Sequence, residues 1–249
     1  MIILKTKKQI NKIKKSCEIV AYILKVLYDK AVPGTTTLDL NNIAEKLCGE
    51  EKVVPAFKGY RGYPFSICSS RNQEVVHGFP SNTPLASGEI LSIDFGVICD
   101  GWYGDSAFTK GIGQIDESAE KLIKVTNECL SIGINSIVAY GRLGDVSRAI
   151  QEHAEHNNFG IVREFVGHGI GRELHEDPQI PNYGHAGVGP ILKPGLVIAL
   201  EPMLTEGSNR LVTLTDGWTT VTEDGKLSAH FEHTVAITDD GIEVLTNRD

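Results

Sequence analysis

The stretch "EILSIDFGVICDGWYGDSAFTKG" carries two aspartates, Asp94 and Asp105, on either side of Asp100-Gly101. An Asp-Gly pair between alternating runs is a two-residue hairpin turn. Such a turn sets Asp94 opposite Ala107, with Asp105 two residues further on the same face. Leu91, Ile93 and Phe95 then point the other way. Two further acids end strand-like runs: Glu201 follows Leu196 to Leu200, and Glu232 alternates with Phe231 and His233. His168 sits between two glycines in "GHGIGRELHE", and glycines let a loop approach its neighbours closely. His175 closes that stretch.

Four carboxylates meeting in a half-buried sheet would repel one another, and burial with like charge would raise their pKa values by units. No lysine or arginine lies between Asp94 and Asp105, in the "GHG" around His168, or in the strand-like runs around Glu201 and Glu232. Two divalent cations would balance the charge. Four carboxylates and one imidazole, that of His168, form a mostly hard donor set suited to Mn, Fe, Co or Zn and unlike a thiolate zinc site. Cations sharing a water would lower its pKa from about 15.7 toward 7 and make a hydroxide nucleophile. Taken singly, each acid reads equally well as a hairpin charge or a strand end, and "GHG" as a turn. Matching acids on repeated hairpins single them out.

The elements that must position these residues follow from periodicity. Thr6 with Gln9 is a capping-box pair, and Ile10, Ile13, Cys17, Val20, Leu24 and Leu27 recur at helical spacing, predicting a helix over about 7–30. A second helix follows with Asp39 as its cap and Leu40, Ile43, Ala44 and Leu47 on one face. Residues 52–76 read as irregular, with short extended pieces. Further helices are expected over about 116–138 and 144–158, the latter with Asp145 as cap. "GLVIALEPML" and "LSAHFEHTVAIT" close the chain as strands.

Gly34, Gly88 and Asp94 recur as Gly141, Gly195 and Glu201, each 107 residues later. This offset predicts an internal duplication over about 7–110 and 116–245 within a single catalytic domain, 1–249. The fold class is α/β (α+β): two pseudo-twofold halves whose hairpins join in a curved antiparallel sheet backed by helices. Glu201 then takes the place of Asp94, and Glu232 faces Asp105 across the axis.

The chain of 249 residues is 41% hydrophobic, enough for a sizeable core. Six lysines and no acid occupy the first fifteen residues, leaving 18 basic against 32 acidic residues beyond them, a balance of −14. The acidic remainder argues against a nucleic-acid enzyme. The lysine run reads as a solvated helix face in preference to a docking patch. Five scattered cysteines without a CxxC pair suggest reduced thiols and a cytoplasmic setting. Lysines interrupt every early apolar run, so no secretion signal is expected, and no stretch of about 18 apolar residues would span a membrane.

The ordered set Asp94, Asp105, His168, Glu201 and Glu232 resembles the metal ligands of the type I methionine aminopeptidases. "VVHGFP", "SIDFGVICDGWYGDS", "GHGIGRELHEDPQIPNY", "IALEPM" and "FEHTVAITDDG" match too, so the resemblance covers about 4–246. It implies the pita-bread fold, two divalent metal ions (Co, Mn, Fe or Zn), and removal of N-terminal methionine from nascent polypeptides with a small second residue preferred. In length the chain is similar to the short bacterial form, for which the resemblance implies a monomer; ribosome contact through the Lys-rich first helix is what the docking reading of that run would give. By the same resemblance, Asp94 chelates one metal, Asp105 and Glu232 bridge the pair, and His168 and Glu201 complete the other. Glu201 also shuttles a proton, His175 donates to the substrate carbonyl, and His77 contacts the substrate amide. The methionine pocket would be walled by Phe57, Tyr60, Tyr63, Cys68, Leu174 and Trp218. Phe57, Arg61, Leu174 and Gly96 depart from the family's commoner residues, which bears on pocket shape. Prolidases and X-Pro aminopeptidases share the ligand set but usually carry an additional N-terminal domain. A binding protein on this fold would have lost ligand residues, and all five stand here.

Overall fold

Helix α1 (Lys7–Lys30) begins where the threonine cap closes. The Gln9 amide donates to Thr6 Oγ1 at 3.4 Å, and the Thr6 amide donates to Gln9 Oε1 at 2.8 Å. The six apolar positions read from the sequence are all buried. The computed structural model describes residues 1–248. Among them, α2 (Thr37–Glu51), α3 (Glu117–Asn135) and α4 (Leu143–His156) complete the α-helices.

Two expected caps shift by one turn. Thr36 caps α2, and Asp39 sits three residues in, accepting from the Thr36 amide. Asp145 likewise lies inside α4 and accepts from the Arg142 amide, while its other oxygen accepts from the Gly187 amide at 2.7 Å. A capping box is reciprocal, so its acid and its cap are easily exchanged on paper.

Among the described residues, nine strands join in one antiparallel sheet. Its centre is the hairpin Ile90–Cys99 and Trp102–Gly111, then Glu232–Thr238, then Val197–Leu200, then Gly167–Gly169. The turn residues Asp100 and Gly101 both have positive φ, 52° and 74°, as a two-residue hairpin of this kind requires. Asp94 pairs with Ala107 as read from the sequence. Glu232 pairs with Ala107 as well, so the acid does not face Asp105; Thr234 takes that place and exchanges bonds with the Asp105 backbone through its hydroxyl. The seam thus runs through the Ala107–Glu232 pair, and the four central strands are related by a pseudo-twofold axis there. Because strand side chains alternate, Asp94, Asp105, Glu232 and His168 share one face, and Glu201, one residue beyond Leu200, turns to it as well.

The other face is core. Leu91, Ile93 and Phe95 are fully buried. Helix α1 lies on Gly104, where an added Cβ would come within 2.7 Å of the Cys17 amide nitrogen. The five cysteines are free and buried. Among the described residues, no helix is long and apolar enough to cross a membrane.

The lysine run is less uniform than expected. Lys8 and Lys12 are exposed, but Lys14 pairs with Glu243 and Lys15 with Asp100. Lys5 is not on the helix face: its ammonium is buried against Glu176 at 2.6 Å.

Candidate active site

One cavity of about 350 Å³ opens on the acid-bearing face and is lined by Asp94, Asp105, His168, Glu201 and Glu232. One donor atom each from Asp105, His168 and Glu232 lies within 4.8 Å of the others. Glu201 Oε1 is 3.6 Å from His168 Nε2, and the Asp94 and Asp105 carboxyls interact directly. Burial raises Asp94 to about 7, with the His230 imidazole opposing and the Glu201 charge adding to the rise. Burial raises Glu201 to about 8, and Asp105 and Glu232 lie well above the ordinary range.

Asp94 Oδ1, Asp105 Oδ1 and Glu232 Oε1 are buried without a hydrogen-bond partner among the described residues. Buried carboxylate oxygens left this way are costly unless a cation satisfies them. The donor set therefore fits divalent ions. His168 is oriented to join that set. Its Nδ1–H donates to the Gly169 carbonyl at 2.9 Å, which leaves the Nε2 lone pair toward the acids. Burial holds its pKa down at about 3, so the ring is neutral. Both flanking glycines are needed for this approach. A Cβ on Gly167 would strike the Ala199 carbonyl, and one on Gly169 the Asp177 carbonyl.

His77 and His175 border the same cavity. His77 holds a left-handed backbone, φ 61°, and stands edge-on to Trp218 and Phe165. A non-glycine residue there is strained, which the surrounding aromatics sustain. Burial lowers His77 to about 4. His175 is more open at the rim, and burial followed by the Arg61 cation lowers its pKa too. Its loop is organised from below by Glu176, whose carboxylate takes the buried Lys5 ammonium and the Arg172 amide.

Phe57, Tyr60, Tyr63, Cys68, Leu174 and Trp218 all line the cavity. Tyr63 packs edge-on to Trp218 at 5.1 Å, and Leu174 and Cys68 are buried beside it. Tyr60 does more than wall the space, because its hydroxyl bonds to His175. Phe57 and Gly96 are coupled: a Cβ on Gly96 would lie 3.2 Å from Phe57 Cε1 and 2.9 Å from the Gly104 carbonyl. The absent side chain makes room for the ring. One buried residue on this face was missed in the sequence reading: His230, two positions before Glu232. The alternation through Phe231 would have found it.

A family model described as metallopeptidase family M24 matches residues 11–239. The chain is 50% identical to a methionine aminopeptidase of Clostridium perfringens over 246 residues, 99% of each chain. It is 47% identical to methionine aminopeptidase 1 of Bacillus subtilis, again over 99% of each. The crystal structure of a methionine aminopeptidase from Thermotoga maritima superposes with a TM-score of 0.97 at 47% identity, covering 99% of this chain and all of that one. A prolidase from Pyrococcus furiosus shares the fold at 22% identity and a TM-score of 0.79, with 66% of its length covered.

Proposed function

The chain belongs to metallopeptidase family M24, and from that membership we propose that it is a methionine aminopeptidase, cutting N-terminal methionine from nascent chains that carry a small second residue. The observation that carries this reading is the convergence of Asp105, His168 and Glu232 within 4.8 Å, with partnerless buried oxygens beside them. Asp94, Asp105, His168, Glu201 and Glu232 would hold two divalent ions, Co, Mn, Fe or Zn. When bound, such ions offset the carboxylate charge and ionise a water for attack on the substrate carbonyl.

The chain's own residues supply the rest. Glu201, buried beside His168 in the same cavity, would carry a proton toward the departing amine. His175, with Nδ1 engaged by Tyr60, presents Nε2–H to the carbonyl oxygen. His77, neutral near pH 7, offers a donor to the substrate amide. Tyr63, Leu174, Cys68 and Trp218 exclude water and hold the thioether, with Phe57 narrowing the space. The reading includes a cytoplasmic monomer of one catalytic domain built from two pseudo-repeats, about 7–110 and 116–245. Exposed Lys8 and Lys12 would meet the ribosome.

The test is hydrolysis of Met-Ala-Ser and of an Ala-Pro peptide after chelation and reloading with each ion. Release of methionine that returns with the ion, and not in Asp105→Asn, is expected. Release of alanine alone would favour the prolidase relatives and end this reading.

A further inference from the structure

The acid-bearing face carries an imidazole beyond those already assigned. His230 is 2% exposed, and its backbone is locked: its amide donates to Thr109 Oγ1 at 2.8 Å, and that hydroxyl donates to its carbonyl at 2.8 Å. Its Nε2 is buried without a hydrogen-bond partner among the described residues, and lies 3.5 Å from Glu201 Oε2. The other oxygen of the same carboxylate, Oε1, is 3.6 Å from His168 Nε2. Glu201 therefore stands between two imidazoles, one at each oxygen. The pseudo-twofold axis relates Asp94 to Glu201 and the pair Gly96–Asp105 to the pair Met203–His230. Where one half places a carboxylate, the other places this histidine.

The two imidazoles are not equivalent. His168 has its Nδ1–H tied to the Gly169 carbonyl, so Nε2 is an acceptor free for a metal ion. No such hydrogen bond holds the His230 ring; its Nε2 lies 3.5 Å from the Glu201 carboxylate, and the Asp94 charge acts on the ring as well. A carboxylate turns about its last bond unless one oxygen is held, and a held oxygen fixes the other. Asn182, which also touches Glu201, donates to its backbone carbonyl and not to its carboxylate.

We propose that His230 is a positioning residue whose Nε2–H holds Glu201 Oε2, orienting that carboxylate for metal binding and proton transfer. The proposal rests on the role given to Glu201 above. It concerns an outer partner of a ligand, a group whose loss typically lowers metal affinity or activity about 10–100-fold.

The experiment compares wild type, His230→Leu and His230→Gln as metal-free proteins titrated with Co²⁺. Affinity and the Co²⁺ absorption bands are read beside Met-Ala-Ser hydrolysis, with zinc-loaded, ¹⁵N-histidine-labelled protein for NMR. In His230→Leu, Co²⁺ affinity or kcat is expected to fall about 10–100-fold with altered bands. His230→Gln, whose amide can donate to the same oxygen, is expected to recover most of the loss. The His230 Nε2 signal of the zinc protein should show a bound proton. Wild-type affinity, bands and kcat in His230→Leu would overturn the proposal, as would a metal-bound Nε2. If His230→Leu fails to fold, the His230→Gln titration and the NMR signal still decide. Wild-type protein that binds no Co²⁺ and releases no methionine would instead overturn the reading of the site itself.

Discussion

Tyr60 sets its hydroxyl 2.8 Å from Nδ1 of His175, across 115 positions of sequence. The two rings lie 5.4 Å apart at 35°, so the contact fixes the imidazole plane as well as its tautomer. With the tyrosine donating to Nδ1, Nε2 carries the proton that faces the cavity. Tyr60→Phe keeps the wall and removes the bond. A single hydrogen bond of this kind contributes about 1 kcal/mol, so kcat for Met-Ala-Ser should fall on the order of five- to tenfold, with bound metal unchanged. Equal kcat in the two proteins would remove Tyr60 from the machinery.

Asp105→Asn should act in opposite directions on metal binding and on the metal-free fold. The amide is a poor ligand, so ion affinity and activity should drop by at least about a hundredfold, beyond what loss of an outer partner causes. Without ions, the same change relieves a buried carboxyl pressed between Asp94 and Glu201. Thermal melts in chelator should show the variant at least as stable as wild type. A lower melting temperature in chelator would show that Asp105 is held by something other than an ion.

The metal-free protein should lose stability as pH rises from 6.5 to 8. Burial raises Asp94 from 3.8 to about 7 and Glu201 from 4.5 to about 8, so the folded state binds protons that the unfolded chain has released. That cost grows from about pH 4 to about pH 8. His77 and His168 work the other way below 6.5, because burial lowers them to about 4 and 3 and folding expels their protons. His175 and His233, lowered to about 4 and 3, add to this opposing effect, which fades by about pH 7.5; the raised acids outweigh it across the range and dominate beyond it. A saturating divalent ion, which needs ionised carboxylates, should stabilise more strongly at pH 8 than at 6.5. Denaturant titrations at both ends, with and without the ion, check this; a flat profile in chelator would contradict it.

Gly96 and Phe57 should behave as a coupled pair. Gly96→Ser introduces a Cβ into the 3.2 Å gap beside the Phe57 ring and should destabilise by about 1–3 kcal/mol. Phe57→Cys should recover the share owed to the ring, leaving the cost of the Gly104 carbonyl contact. A double-mutant cycle measures the coupling, and strict additivity would show that the ring simply moves aside.

Much of this arrangement is legible in the chain because it depends on local rules. The Asp100-Gly101 turn fixes register, and register fixes which face Asp94 and Asp105 share. Glycines on either side of His168 announce a close approach. The repeated Gly-to-acid spacing points to a sheet of two related hairpins. What escaped lies in contacts between distant segments. The partner of Glu232 depends on how the two halves slide against each other, which no single hairpin specifies, so Ala107 could not be chosen over Asp105. The Tyr60–His175 and Lys5–Glu176 contacts join separate segments and leave no periodic trace. Thr36 and Asp39 bond to each other, and either could have been the cap. His230 sat in plain alternation with Glu232, but its position mattered only once Glu201 was seen to reach it.

The Ala107–Glu232 pairing decides how the molecule can come apart. Asp94 and Asp105 stand on one side of it, and His168, Glu201 and Glu232 on the other. A divalent ion held by these residues would be gripped from both sides, like a rivet through the joint between two half-molecules, and neither half would own a complete grip. Sliding one half by a single residue would turn its donors to the opposite face, so any ion held there would lose its ligands while each half kept its own pairing.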